Sequence, residues 1–315
     1  FRASLSRTRK ELKKNFLSPP FLCIERSRRK SGSVTCSAEI RKAIRSHLPE
    51  NNIEGCPDLT IPRIYSPQSL ENKTACELGE DNLKYLKQVM RLQPGDRINV
   101  FDGYGREFEA VIANFSAAAV WVELGKPVPS EAREIRLTLA QALPKARKMD
   151  TIIKSAAELG TDVIIPFHAA RSVSHINDEK SDLKLSRWQK IAQEAARSSH
   201  SAYISDVAKI SSFSEMLSLS CQSSLKLIFW EEESRKTIKD VLADASLIDA
   251  KDIFIVVGPE GGFTRDEIQQ ATEADFISVS LGRQILKVET AAAAIVAIIQ
   301  YEKGIFSKST QEETK

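Results

Sequence analysis

Strand-like and helix-like segments alternate along the chain from residue 134 to residue 303, and this alternation restricts the fold more than any other feature of the sequence. Apolar runs such as DVIIPF, LKLIFW and DIFIVV have the length and the β-branched composition of buried strands. Segments with helical periodicity separate them, for example KMDTIIKSAAELG, which ends at Gly160. The alternation predicts an α/β fold in which helices cover a parallel sheet.

The preceding region, 62–127, has a different pattern. Helical spacing over 81–92 predicts a helix with Leu83, Leu86 and Val89 or Met90 on its buried face. The segment RINVFDGYGREFEAVIANF alternates apolar and polar residues on both sides of DGYG, which predicts a β-hairpin. A further strand, AAVWVEL, precedes the linker GKPVPSE. We therefore expect a small β-barrel over 62–127, followed by the α/β domain over 134–303.

Basic residues are concentrated at the start of the chain. Residues 1–38 contain ten Lys/Arg and two acidic residues, which leaves 35 of the 45 basic and 40 of the 42 acidic residues in the remainder. This Arg- and Ser-rich composition predicts an organelle transit peptide over 1–38, and SVTCSAEI favours the chloroplast over the mitochondrion. A basic tail or an RNA-binding arm is the alternative. We expect a linker over 39–61 and a disordered tail over 304–315, and any nucleic acid would need a local basic patch on the remaining, slightly acidic body.

Several kinds of site are not expected from this sequence. No apolar run reaches the ~18–20 residues that span a bilayer, so no membrane association is expected. The five cysteines are scattered and have no spacing typical of zinc ligands. His168, His175 and His200 show no ligand spacing either, so we expect no metal.

The glycine-rich stretch VVGPEGGF, Val256–Phe263, lies between a predicted strand and a predicted helix. Such a turn often binds phosphate. Here Thr264 and Glu267 form a capping-box pattern that would occupy the amides a phosphate needs, and Glu260 adds a negative charge. A ligand with a positive centre and no phosphate, such as S-adenosylmethionine, fits better. The alternative is a tight strand–helix turn with Glu260 solvated.

A second irregular loop, SLGRQILKVET, follows a late strand in the same way. Ligands of parallel sheets bind at the carboxyl ends of strands, where both loops are expected. Gly282, Ile285 and Leu286 in this loop could surround an adenine together with the first loop.

These motifs resemble the RsmE family, which belongs to the SPOUT superfamily of methyltransferases. GPEGGF, SLGRQILKVETA and the alanine-rich last helix carry the resemblance. LAQALPKARKMDTIIKSAAELG, RWQKIAQEAA and VMRLQPGDRINVFDG extend it over about 62–303. The resemblance implies methylation of N3 of a uridine in small-subunit ribosomal RNA, with S-adenosylmethionine as the cofactor. It also implies a PUA-like RNA-binding barrel, a trefoil-knotted methyltransferase domain, and a homodimer formed through the last helix, Glu289–Glu302.

The resemblance also assigns residues. Glu289, Lys287 and Arg283 are the catalytic candidates: Glu289 (or Glu260) to orient or accept a proton, and Lys287 or Arg283 to stabilise negative charge on uracil. The cofactor-binding candidates are Leu139, Gly258, Glu260, Gly261, Gly262, Leu281, Gly282, Ile285, Leu286 and Thr290. The RNA-binding candidates are Lys145, Arg147, Lys148, Arg171 and Arg197, although short basic clusters are more often simply solvated.

The sequence departs from the family pattern after the central helix. His200 and Ser201 stand where the family has Gly-Arg, Tyr203 and Ser205 stand at later Arg and Pro positions, and Lys287 precedes valine where Arg-Thr is common. An arginine lost from an RNA-binding surface is a lost phosphate or base contact. Two alternatives therefore stay open: an inactive RNA-binding assembly factor, or a methyltransferase acting on another base.

Overall fold

The computed structural model describes residues 61–130, 132–172, 178–244 and 249–304, and the side chains of 178–180 are not included. The predicted transit peptide, nearly all of the predicted linker and tail, and His175 lie outside the described residues. Two β-sheets organise the described part of the chain.

The first sheet has five strands, in the order β1-β3-β4-β5-β2. Their bounds are β1 Arg63–Tyr65, β2 Ala75–Leu78, β3 Arg97–Phe101, β4 Glu107–Phe115 and β5 Val120–Pro127. β1 pairs with β3 in parallel, and the other neighbours are antiparallel. Ile98, Val100, Ala110 and Ile112 are buried, as the alternation in the predicted hairpin requires. β2 was not predicted, because its four residues are too few to show a period.

The predicted helix of this region is α1, Glu80–Lys84, which continues as a π-helical turn over Tyr85–Val89. Leu86 is fully buried, whereas 67% of Val89 is exposed. The prediction that Val89 or Met90 shares the buried face is therefore wrong. The amide of Met90 donates to the carbonyl of Tyr85, five residues back, and this wider turn changes the angle between successive side chains.

The second sheet is parallel throughout and confirms the predicted α/β class. Its strands are β6 Arg136–Ala142, β7 Val163–His168, β8 Asp206–Val207, β9 Ser211–Ser212, β10 Leu225–Phe229, β11 Asp252–Val257 and β12 Ile277–Val279. The order is β12-β10-β11-β6-β7-β8, and β9 pairs with β7. Because β10 lies between β11 and β12, the carboxyl ends of these three strands meet at one edge of the sheet.

Helices cover both faces of this sheet, as burial of a parallel sheet requires. The bounds are α2 Lys148–Glu158, α3 Asp178–Ser198, α4 Phe213–Leu219, α5 Ile238–Leu242, α6 Arg265–Glu273 and α7 Val288–Glu302. One core contains apolar residues of α2, α3, α5 and α7, and the other contains those of α4 and α6. Among the described helices, none combines the length and the apolarity needed to cross a bilayer.

The last helix, α7, is packed against its own sheet. Ile295, Val296 and Ile299 are fully buried in the core that also contains α2, whereas Ala293 and Ile298 are only partly buried. Part of the apolar helix face that was expected to pack against a second copy is therefore buried within the chain itself. The homodimer and the trefoil knot stay predictions.

The two described cysteines are expected to differ sharply in reactivity. Burial raises the pKa of the Cys76 thiol to about 11, even though Lys73 and a hydrogen bond with Ser66 lower it, while Cys221 is exposed. The thiolate is the nucleophile. Iodoacetamide at pH 8 should therefore alkylate Cys221 and spare Cys76 in the folded chain, and both should react in denaturant, as measured by peptide mass spectrometry. Equal rates in the folded chain would contradict the burial of Cys76.

Candidate functional site

A pocket of about 390 Å³ opens at the carboxyl ends of β10, β11 and β12. The last residues of these strands, Phe229, Val257 and Val279, form its floor. Residues from the two predicted loops, 258–262 and 280–286, form its walls, and Val288, Ala291 and Ile295 of α7 close one side. This is the position at which open parallel sheets bind ligands.

The first loop depends on a glycine in the left-handed backbone region. Gly262 has φ +66° and its amide donates to the carbonyl of Pro259 at 3.0 Å, which closes a tight turn. A Cβ atom on Gly262 would overlap the carboxylate of Glu231, which also lines the pocket. Only glycine meets both conditions without strain.

The capping box behind the first loop is confirmed. Thr264 Oγ1 accepts a hydrogen bond from the amide of Glu267 at 3.2 Å, and Glu267 Oε2 accepts from the amide of Thr264 at 2.9 Å. The other oxygen, Oε1, accepts from the amide of Ala170 at 2.8 Å. Glu267 is therefore satisfied at both oxygens, and it brings a carboxylate to the helix N-terminus where a phosphate would otherwise bind.

Glu260 belongs to a cluster of charges beside the pocket, with Lys148 and Glu289. The ammonium of Lys148 lies 2.9 Å from Glu260 Oε1 and 3.6 Å from Glu289 Oε2. The amide of Lys145 donates to both oxygens of Glu260, at 3.1 and 3.2 Å. One cation thus holds two carboxylates together, one from the first loop and one from the first turn of α7.

These contacts lower the pKa of Glu260 and raise the pKa of Lys148. Partial burial raises the pKa of Glu260, but the hydrogen bonds from Lys148 and from backbone amides together lower it by more. The pKa of Glu260 therefore lies below its ordinary value. The hydrogen bond to Glu260 raises the pKa of Lys148, partial burial opposes this, and the charge of Glu289 adds to it. The ion pair is therefore fully charged at neutral pH.

Most of the cofactor-binding residues predicted from the sequence come together around the pocket, and three do not. Those that line it are Gly258, Glu260, Gly262, Leu281, Gly282, Ile285 and Leu286. Leu139 is fully buried within β6, and Thr290 is exposed on α7. The carbonyl of Gly261 accepts from Arg171 Nη1 at 2.9 Å, and a Cβ atom there would meet Arg171 rather than the pocket.

The predicted catalytic residues occupy different positions. Arg283 is exposed and lines the pocket, and Lys287 is exposed at the N-cap of α7. Glu289 is partly buried and faces Lys148.

The predicted RNA-binding residues are also spread out. Lys145 and Arg147 are exposed in the loop before α2, and Arg171 is exposed beside the first loop. Lys148 belongs to the charge cluster described above. Arg197 is held by Glu194 at 2.6 Å and by the hydroxyl of Tyr85 at 3.0 Å, so that its guanidinium is committed to contacts within the chain.

Trp230, Glu231 and Gln141 are among the site residues that the sequence interpretation missed. Trp230 and Glu231 line the pocket directly after β10, in the polar stretch WEEE that follows a buried strand. Gln141 is fully buried, and its Nε2 donates to the carbonyls of Ala142, Val257 and Gly258 at 3.0, 3.4 and 3.3 Å. Gln141 thus fixes the start of the first loop from the neighbouring strand.

The pocket suits a ligand with an apolar ring, hydrogen-bonding groups and a positive centre. Its walls combine apolar side chains with backbone groups, and Glu231 and Glu260 contribute the carboxylates. Trp230 Nε1 is buried and has no hydrogen-bond partner among the described residues, so that it can donate to a bound molecule. In the part of the chain that the structure describes, no three His, Cys, Asp or Glu side chains are grouped as metal ligands.

Two known protein families match this chain, one in the region of each β-sheet. Residues 131–300 match the family described as the RNA methyltransferase domain. Residues 78–123 match the family described as the RNA methyltransferase PUA domain. The pocket and the charge cluster lie within the first match, and the five-stranded sheet contains the second.

Individual proteins are similar over most of the chain. Ribosomal RNA small subunit methyltransferase E of Bacillus subtilis is 31% identical over 243 residues, which cover 75% of this chain and 93% of that protein. The crystal structure of the Neisseria gonorrhoeae protein of the same name, bound to S-adenosyl methionine, has a TM-score of 0.68 and 29% identity over 76% of this chain and 97% of that chain. A putative methyltransferase of Legionella pneumophila, solved with bound SAM, has a TM-score of 0.69 and 27% identity with the same coverage.

Proposed function

This chain belongs to the family of ribosomal RNA small subunit methyltransferase E, and on that premise we propose that it methylates N3 of a uridine in small-subunit ribosomal RNA with S-adenosylmethionine as the methyl donor. The observation that carries the proposal is the pocket at the carboxyl ends of β10, β11 and β12 together with the adjoining Glu260–Lys148–Glu289 cluster. The proposed cofactor site therefore lies next to three charged groups that can accept or donate a proton.

S-adenosylmethionine supplies an electrophilic methyl group on a positively charged sulfur. Phe229, Val257, Leu281 and Leu286 would provide apolar surface for the adenine, and backbone groups of the two loops would hold it by hydrogen bonds. The carboxylates of Glu231 and Glu260 favour a cation in the pocket. The same carboxylates disfavour nucleotide phosphates.

The charge cluster handles the proton of the uracil. N3 of uridine carries a proton at neutral pH, and it becomes a good nucleophile only when that proton leaves. We assign proton acceptance to the carboxylate of Glu289: the N3–H bond would break, the carboxylate would take the proton, and N3 would accept the methyl group while the C–S electron pair stays on sulfur. The ammonium of Lys148 stabilises the negative charge that develops on a uracil oxygen.

Glu289 is preferred over Glu260 because the two carboxylates are already engaged to different extents. Both oxygens of Glu260 accept hydrogen bonds from the amide of Lys145, one also accepts from Lys148, and its pKa is lowered. Glu289 Oε2 is buried, has no hydrogen-bond partner among the described residues, and lies 3.6 Å from the ammonium of Lys148. Arg283 and Lys287, both exposed near the pocket, are assigned to the RNA backbone.

The proposed function is tested by removing the gene and mapping methylated bases in ribosomal RNA, alongside calorimetry of the purified chain with S-adenosylmethionine. We expect one cofactor site per chain and the loss of one N3-methyluridine from small-subunit RNA. The composition of residues 1–38 leads us to propose a chloroplast ribosome as the target, so that organellar and cytosolic RNA are mapped separately.

The outcomes distinguish the alternatives. An unchanged N3-methyluridine pattern would overturn the proposal. Loss of a different methylated base would favour a methyltransferase with another target, and RNA binding without any cofactor binding would favour an assembly factor.

A further inference from the structure

One arginine links the five-stranded sheet, which is the barrel expected from the sequence, to the methyltransferase domain that contains the parallel sheet. Arg63 lies on β1 of the five-stranded sheet and only 5% of it is exposed. Its Nε donates to Glu107 Oε1 at 2.9 Å, and its Nη2 donates to Glu107 Oε2 at 2.6 Å. This two-point pairing fixes the plane of the guanidinium, and the group also lies 4.3 Å from the centre of the Phe101 ring.

The remaining donors of Arg63 cross to the methyltransferase domain. Nη1 donates to the carbonyls of Ala196 and Arg197 at 3.1 and 3.3 Å, and Nη2 donates to the carbonyl of Ser201 at 3.1 Å. The first two carbonyls belong to the last turn of α3, where the helix leaves carbonyls without intrahelical partners and has the negative end of its dipole. A cation from the barrel therefore caps the longest described helix of the other domain.

Further contacts surround Arg63 and fix the same orientation. The amide of Gly105 donates to the carbonyl of Ala202, and the amide of Ile204 donates to the carbonyl of Gly103, both at 3.0 Å. Gly103 and Gly105 have positive φ angles, and a Cβ atom on either would collide with Ile204 or Tyr203. The hairpin turn of the barrel is therefore shaped to fit the segment that follows α3.

The helix that Arg63 caps is connected to the charge cluster of the site. Asp150, in the first turn of α2, accepts from Arg187 Nη2 at 2.6 Å and from Trp188 Nε1 at 3.2 Å, and both donors lie on α3. Lys148 is the first residue of α2. The position of the barrel is thus defined relative to the helix pair that holds the ammonium of the cluster.

We propose that Arg63 is a positioning residue, which fixes the barrel in one orientation so that RNA held by the barrel reaches the methyl-transfer site. The role for RNA rests on the proposed function, and the role for domain orientation does not. Lysine cannot replace Arg63, because an ammonium lacks the planar fork for Glu107 and has only three donors for the five hydrogen bonds that Arg63 makes.

The test compares Arg63→Ala and Arg63→Lys with Arg97→Ala, a change at an exposed arginine of β3 in the same sheet. We expect both Arg63 variants to keep the cofactor Kd within about twofold and kcat at saturating RNA within about threefold. Their KM for small-subunit RNA should rise tenfold or more, and Arg97→Ala should have a much smaller effect. A purely structural role would instead weaken cofactor binding and RNA binding together.

Orientation is measured separately, so that the result stands even if the chain methylates another substrate. Spin labels are placed at two exposed positions, Cys221 and an introduced Glu123→Cys. Cys23, Cys36 and Cys56 are replaced by serine so that they take up no label. Excess unlabelled chain is added so that only distances within one chain are measured. Pulsed electron resonance should give one narrow distance distribution in the parent chain and a broad one in both Arg63 variants. A narrow, unshifted distribution in folded Arg63→Ala would overturn the proposal, as would an unchanged KM in a chain that methylates RNA. If the parent chain does not methylate RNA at all, that result would count against the proposed function alone.

Discussion

Replacing Gly262 by valine is expected to abolish measurable binding of S-adenosylmethionine while leaving the chain folded. Gly262 has φ +66°, where a β-branched residue is strongly disfavoured, and a side chain at this position would displace the Glu231 carboxylate from the pocket wall. The left-handed conformation alone costs an ordinary residue roughly 1–2 kcal/mol. Because the loop forms a wall of the pocket, a shift of the loop that relieves the strain also distorts the cofactor site. Calorimetry would measure the loss of affinity, and circular dichroism would measure the fold.

Two further variants separate the causes. Gly282→Ala places a side chain in the second loop at φ +110°, where a Cβ atom would meet nothing within 4 Å, so that it tests backbone strain without a collision. Gly262→Ala combined with Glu231→Ala removes the collision and keeps the strain. We expect Gly282→Ala to bind the cofactor more tightly than Gly262→Val. Wild-type affinity in Gly262→Val would show that the pocket does not hold the cofactor.

Replacing Lys148 by methionine is expected to reduce kcat by on the order of 100-fold or more, the range seen when one group that stabilises a developing charge is removed. Methionine keeps the aliphatic length but removes the ammonium that lies between Glu260 and Glu289. Two carboxylates then face each other without a cation, and the negative charge on the uracil loses its partner. Single-turnover methylation with saturating RNA and cofactor measures this effect.

Lys145→Ala is the matched control for Lys148. The Lys145 side chain is exposed in the same loop, and its contact with Glu260 is made by the backbone amide, which alanine keeps. We expect this variant to change kcat by less than about threefold and to act mainly on the KM for RNA, as removal of one phosphate contact would. Equal kcat values for Lys148→Met and the parent chain would remove Lys148 from the chemistry.

The sequence predicted the parts of the fold that depend on short-range pattern. Strands such as Leu225–Phe229 and Asp252–Val257 were visible as buried apolar runs, and the Thr264–Glu267 capping box was visible from its spacing. The π-helical turn at Tyr85–Val89 was not, because nothing in local composition distinguishes it from an α-helical turn.

The site was predictable where its residues belong to the two loops, and not where distant segments meet. Lys148 was assigned to RNA because its spacing shows only a basic cluster, whereas its partners Glu260 and Glu289 are more than 100 residues away in the chain. Gly261 and Gly262 are indistinguishable in sequence, and only the backbone shows that the second has the positive φ angle and faces the pocket.

His200 illustrates how structure can account for a sequence departure. It stands where the resembling family has glycine, and its φ angle is +58°, a region that glycine occupies freely and that histidine adopts more often than most residues do. The carbonyl of the next residue, Ser201, accepts from Arg63. Histidine at this position thus adopts a backbone conformation that glycine would also allow.

The order of strands also determines when the site can form during synthesis. Residues 136–141 of β6 each pair with a residue of β11 that lies 116 positions later, for example Gln141 with Val257. At roughly 5–20 residues per second, β6 leaves the ribosome about 6–23 s before its partner does. The first loop cannot be fixed by Gln141 until then, and α7 comes later still. Over this interval β6 is an apolar strand with one unpaired edge, which makes it a candidate for chaperone binding during translation.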